Sequence, residues 1–257
     1  MSRAESLLDL LGAREGIVCA VGAGGKKSVL QYLAARHPGR VALTATVVTT
    51  HFPESLGFDV VVAPDAELPA RVASLDGARS VAYACPLDKP GRHGGASPEV
   101  VARIHREQGF AATYVKADGA RMRWIKAPDA GEPVLPPGCG RIIAVVSARA
   151  IGEPLGERVA HRLGQLQAVT GLAPGETIRP LHVARLLASP AGLRKGAGLC
   201  PVAAVINMVD DPGRESLARE AARIALELDP AIGQVVLTSL QREDEPVVAV
   251  VRATIGA

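Results

Sequence analysis

Short apolar runs rich in β-branched residues alternate along the chain with longer stretches whose apolar positions recur every three or four residues. The runs at 16–21, 41–50, 59–63, 81–85, 113–118, 141–147, 202–209, 234–239 and 247–253 predict strands. Several lack polar alternation, as expected of strands buried on both faces of a parallel sheet. Between them, the spacing predicts helices over 27–36, 98–108, 159–170, 181–188 and 214–228, with a short amphipathic helix near the N-terminus. Strand and helix taking turns implies βαβ units. The expected fold is α/β, a three-layer, doubly wound, mostly parallel sheet of the P-loop NTPase-like kind. The stretch 127–140 (APDAGEPVLPPGCG) is rich in Pro and Gly and reads as a loop. A single domain over 1–257 with a lobe boundary near 127–140 is expected.

Composition narrows the function classes. Aromatic residues make up 3% of the chain, too few for the stacking platforms that bind single-stranded nucleic acid. The balance of 29 basic against 26 acidic side chains, net +3, also argues against a nucleic-acid partner. No apolar run reaches the roughly 18 residues of a membrane span. A cytoplasmic protein is expected. The four cysteines are widely separated, with no CxxC, and read as buried thiols.

The candidate chemistry starts at 16–36, GIVCAVGAGGKKSVLQYLAAR: an apolar strand, a glycine-rich turn, a lysine, then a helix. A nucleotide phosphate needs closely spaced backbone N–H groups, which a glycine turn presents without Cβ clashes. A helix N-terminus adds its own orphan donors. Gly22, Ala23, Gly24, Gly25, Lys26, Lys27 and Ser28 are therefore candidate nucleotide-binding residues, Lys26 supplying a charge for the terminal phosphates. Two departures from G-x-x-x-x-G-K-[ST] matter: Ala20 replaces the first glycine, and Lys27 stands where a Mg²⁺-binding hydroxyl belongs. The dinucleotide pattern G-x-G-x-x-G also fails, at Lys27.

The chain resembles the selenium-dependent hydroxylase accessory proteins, the YqeC-like family. The likeness is carried by the loop VGAGGKKS, the strand end TATVVTTHFP and the segment VKADGARMRWIKAPDAGEPVLPP at 115–137. Further blocks are IGEPL at 151–155, His161-Arg162, GLRKG at 192–196 and INMVD at 206–210. The resemblance implies a P-loop nucleotide-binding fold and a role in maturing a molybdenum-containing hydroxylase, with that enzyme or its pterin cofactor as partner.

Within those blocks, Asp118 ends an apolar run and is a candidate catalytic and Mg²⁺-holding carboxylate; capping of the following loop is the alternative. Arg121, Lys126 and Arg162 are candidate clamps for an anionic substrate. Glu132 reads as a substrate or metal contact, or as half of a loop salt bridge. His161 is a candidate general base or phosphate donor. His51 falls at a strand end where α/β proteins bind ligands. Asn207 and Asp210 are similar to the N-K-x-D element that reads guanine, with Met208 in place of its lysine. ATP or GTP is the expected cofactor. Mg²⁺ binding is weakened by Lys27 and by Lys116, which shares a strand face with Asp118. At about 4 Å and an effective dielectric near 20, each like charge costs several kcal/mol.

The leading expectation is a nucleotide-binding maturation factor with weak or absent NTPase activity, a P-loop protein with a degenerate metal site. An ATP-dependent ligase or kinase acting on a small anionic metabolite, and a non-catalytic scaffold that has lost nucleotide binding, are the alternatives.

Overall fold

The computed structural model describes residues 5–253 except 76, 78 and 243. Nine strands form one sheet: β1 (Gly16–Gly22), β2 (Val41–Ala45), β4 (Asp59–Val62), β5 (Val81–Ala84), β7 (Ala112–Lys116), β9 (Cys139–Ser147), β11 (Val202–Asn207), β12 (Gln234–Thr238) and β13 (Val247–Arg252). Their order is β13-β12-β11-β9-β1-β7-β2-β5-β4. Two short pairs stand outside it. β3 (Thr49–Thr50) runs antiparallel to β6 (Arg92–His93), and β8 (Ile125–Lys126) runs parallel to β10 (Ala160–His161). The helices are α1 (Leu7–Leu10), α2 (Lys26–Arg36), α3 (Leu68–Ala73), α4 (Pro98–Gln108), α5 (Leu163–Thr170), α6 (Pro180–Ala188) and α7 (Pro212–Leu228). Helices on both sides of a mostly parallel sheet make this an α/β fold consistent with the P-loop NTPase-like expectation.

By its contacts the chain divides into two compact units. Among the described residues, the first holds those of 5–20, 27–119 and 134–142, and the second those of 21–26, 120–133 and 143–253. In the first, β1, β7, β2, β5 and β4 pair in parallel throughout. In β1, β7, β2 and β5 the Val, Leu, Ile and Ala side chains are buried, which is why these runs lack polar alternation, whereas Val60 and Val62 of the edge strand β4 are exposed. Tyr114, one of few aromatics in this core, donates its hydroxyl to the Ala13 carbonyl at 2.8 Å, so its polar end is satisfied. In the second, β12 pairs in parallel with β11 and antiparallel with β13. There α7 packs on α6 and against β12 and β13, and its Ala218, Ala221, Ala222 and Ala225 are buried. Asp211 caps α7 by accepting from the Arg214 amide at 2.9 Å, and Pro212 opens it.

The structure departs from the predicted elements in several places. The run 41–50 is not one strand: β2 ends at Ala45 and β3 is separate. The ribbon behind β6 returns so closely that a Cβ on Gly95 would stand 2.3 Å from the Thr46 carbonyl carbon. Ala96 N–H then takes the Ala45 carbonyl at 2.9 Å, ending the ladder. The predicted helix 159–170 starts instead at Leu163, because Ala160 and His161 pair with β8 and Arg162 sits at φ +67°. The loop 127–140 gives up its last two residues to β9, and α3 carries too short an apolar pattern to be predicted. Cys19 is the one cysteine of the four that is buried.

Candidate anion-binding site

Within the second unit, β1 runs into a turn in which Gly22, Gly24 and Gly25 have φ of +93°, +78° and +114°. Side chains are excluded here for a further reason. A Cβ on Gly22 would lie 2.2 Å from the Val145 carbonyl oxygen, one on Gly24 2.5 Å from the Ser147 nitrogen, and one on Gly25 2.3 Å from Asn207 Nδ2. The glycines thus let the turn press against the ends of β9 and β11. Ala23 N–H donates to Val145 O at 2.8 Å and Gly24 N–H to Arg123 O at 3.1 Å. α2 opens directly after the turn, and the first amides of a helix lack intrahelical acceptors. Lys26 is buried, and its ammonium folds back to donate to the Gly22 carbonyl, inside the curve of the turn.

The other loop candidates go elsewhere. Lys27 belongs to the first unit, where its ammonium donates to Thr50 Oγ1. Burial, then the Arg92 charge, push its pKa down. His51 follows Thr50 and stacks on His93 with ring centroids 4.3 Å apart. Ser28 is exposed. Asp118, also in the first unit, is buried two residues beyond β7. The preceding Ala117 donates its N–H to Ala20 O in β1 at 3.1 Å, which fixes Asp118 at the carboxyl edge of that strand pair. Lys116 donates to Val48 O at 2.6 Å.

Asn207 and Asp210 hold other partners. Asn207 Nδ2 donates to Gly24 O at 2.9 Å while Oδ1 accepts from Thr238 Oγ1 at 2.9 Å, so the buried amide ties the glycine turn to β12. Met208, at φ +61°, accepts from Ser147 Oγ at 3.1 Å. Asp210 accepts from Ser239 Oγ at 2.9 Å and from Arg149 at 2.8 Å. These contacts engage both oxygens of a carboxylate that an N-K-x-D element keeps for guanine.

Lys126, Glu132, His161 and Arg162 do come together. Lys126 is fully buried and its Nζ lies 2.7 Å from Glu132 Oε2. Arg162 Nε is 3.3 Å from the same oxygen and its Nη1 pairs with Asp129. Asp129 N–H donates to Glu132 at 3.2 Å, and Lys195 donates to the Asp129 and Ala130 carbonyls. Burial pushes the Glu132 pKa up, but the Lys126 hydrogen bond and charge, the Asp129 amide and Arg162 outweigh it and hold it at about 2. His161, in register with Lys126, has its pKa lowered by burial and then by the charges of Arg162, Lys126 and Arg121. Arg121 is exposed, at φ +46°. The network joins opposite charges, and the charges of Arg162, Lys126 and Arg121 act on His161 beside it.

Position 27 offers an ammonium bonded to Thr50. No group of three or more His, Cys, Asp or Glu able to hold a metal occurs among the described residues. Sequence reasoning missed Arg92 and His93, which lie in a Pro/Gly-rich stretch without strand signal, and Ser147, which packs under Gly24.

A mostly parallel α/β sheet whose first strand turns through left-handed glycines into a helix opened by a buried lysine is the class of protein defined so far. A family model described as YqeC protein matches residues 18–164, a span that takes in the glycine turn, His51, Asp118 and the Lys126 network but not Asn207 or Asp210. The chain is also 31% identical over 194 residues to "Uncharacterized protein YqeC" of Escherichia coli (strain K12), covering 72% of this chain and 73% of that protein. The chain belongs to the YqeC family. No solved structure matches it. Among the described residues, no helix is long and apolar enough to cross a membrane.

Proposed function

We propose that this protein is an accessory factor in the maturation of a molybdenum-containing hydroxylase, and that it binds a nucleotide, ATP or GTP, at the glycine turn with weak or absent hydrolysis. Membership of the YqeC family supports a selenium-dependent hydroxylase accessory role at the level of the family. The observation that carries nucleotide binding is the turn itself. Three glycines at positive φ lead into a helix N-terminus, with the buried Lys26 ammonium held inside the curve. Slow turnover follows from position 27. A P-loop hydroxyl there would orient the metal that neutralises charge during phosphoryl transfer, and Lys27 cannot do so.

The test is calorimetric titration of the full chain with ATP and with GTP, each with Mg²⁺ and with excess chelator. The expected result is binding of comparable strength in both conditions and little steady-state hydrolysis. Binding that requires Mg²⁺, together with brisk turnover, overturns this reading. One observation favours a second reading, a scaffold that has lost nucleotide binding: the Ala23 and Gly24 amides are already engaged by backbone carbonyls. Under that reading ATP, GTP and CTP leave the unfolding temperature unchanged, whereas a binder at a hundred times its Kd gains about 2.7 kcal/mol.

A further inference from the structure

The first unit contains a cleft whose lining includes Lys27, Leu30, Leu43, Thr50, Phe52 and Lys116. Its walls are mixed, apolar from Leu30, Leu43 and Phe52, hydroxyl-bearing from the threonines. Besides Lys116, whose ammonium donates to Val48 O, two further cations meet beside it. Lys27 comes from the first turn of α2, and Arg92 faces Thr50 across the β3–β6 pair. The Arg92 charge acts on Lys27. Among the described residues neither Lys27 nor Arg92 forms an ion pair, and Lys27 has only the Thr50 hydroxyl as a hydrogen-bond partner. Arg162, by contrast, has the carboxylates of Asp129 and Glu132 beside it.

The ribbon carrying Arg92 is anchored. Cys85 and Gly94 exchange backbone hydrogen bonds at 3.1 and 2.8 Å, and Gly95 abuts Thr46 too closely for any side chain. Arg92 is therefore presented from a fixed backbone. Half-burying an ammonium next to a second cation is unfavourable unless an anion supplies the compensating charge. Two uncompensated cations match a dianion. An arginine fork and a lysine point charge, with threonine hydroxyls between, suit the oxygens of a phosphoryl group.

We infer that the first unit carries a second anion site, in which Lys27, Arg92 and Thr50 hold a phosphoryl dianion at the mouth of the Leu30–Leu43–Phe52 cleft. The site does not use the glycine turn, so it stands whether or not a nucleotide binds there. The phosphoryl group could be free phosphate or the ester of a small organic molecule whose body enters the cleft.

The experiment is calorimetric titration of the full chain, without metal, using inorganic phosphate and phenyl phosphate, on the wild type, Lys27→Met, Arg92→Met and Lys26→Met. Urea unfolding checks that each variant is folded. The expected result is saturable binding in the wild type that weakens tenfold or more in both Lys27→Met and Arg92→Met. Phenyl phosphate binding more tightly than phosphate identifies an ester seated in the cleft; equal binding identifies the free anion. Absence of binding for both probes overturns the inference. So does binding that survives Arg92→Met but is lost with Lys26→Met, which would assign it to the glycine turn. Should Lys27→Met fail to fold, the Arg92→Met result alone decides.

Discussion

Two basic regions of this protein treat charge in opposite ways. In the second unit, Lys126 is fully buried, yet its ammonium sits 2.7 Å from Glu132, which also receives Arg162 and the Asp129 amide. In the first unit, Lys27 is half-buried beside Arg92, and neither has a carboxylate partner among the described residues. A buried cation that is paired belongs to the framework. A partly buried cation that is not paired carries an unfavourable term that a ligand can relieve. Burial alone does not separate the two cases; the partner does.

The comparison breaks most visibly at Glu132. Glu132→Ala leaves Lys126 buried without its counter-charge and should lower stability by about 3–5 kcal/mol in urea unfolding. The double variant Lys126→Met, Glu132→Gln should recover much of that loss, and strictly additive effects would show that the pair is not coupled.

The next effect is on pH dependence. Glu132 has a folded pKa of about 2 against an ordinary 4.5, so its stabilising contribution is present above 4.5 and is lost as pH falls towards 2. That contribution is on the order of 3 kcal/mol. Urea midpoints measured from about pH 6 to about pH 2 should fall less steeply in Glu132→Gln than in the wild type.

Smaller is the loss on Asn207→Ala, which removes the bonds to Gly24 O and Thr238 Oγ1. A cost of about 1–3 kcal/mol is expected, with weakened nucleotide binding as the turn loosens. A full loss of stability with unaltered nucleotide titration would separate the framework role of Asn207 from any role in the site.

The smallest change, and the one of opposite sign, belongs to Lys27→Met. Removing a cation that has only Arg92 and a hydroxyl for company should leave stability unchanged or raise it by up to about 1 kcal/mol. Added salt should narrow the gap between the two proteins. A loss of several kcal/mol would mean that Lys27 is as firmly paired as Lys126, and the distinction between the regions would fall.

Much of the fold was legible in the chain. The apolar runs located all nine strands of the sheet, and Pro98–Gln108 was bounded to the residue, because Ser97 and Pro98 open the helix and Gly109 closes it in the left-handed region. The places that were not legible share a cause. The break after Ala45 is imposed by Gly95, fifty residues later in the chain, and the late start of α5 by the pairing of His161 with Lys126. Local pattern carries no record of such distant contacts. The same holds at the candidate site. Glycines followed by lysine mark the turn, but the pressure of Val145, Ser147 and Asn207 against it becomes apparent only when β9 and β11 lie alongside.

By itself the sequence determined the class of the protein: buried parallel strands, a glycine turn into a helix, and blocks that mark the YqeC family. These depend on periodicity and on backbone conformations that only glycine adopts freely, both properties of neighbouring residues. Tertiary structure decided which charges are neutralised. Lys26, Lys27 and Lys126 are chemically the same side chain. One bonds the turn that precedes it, one faces Thr50 and Arg92, and one is closed against Glu132. Charge compensation depends on which groups come within a few ångströms, and that is set by how distant segments meet.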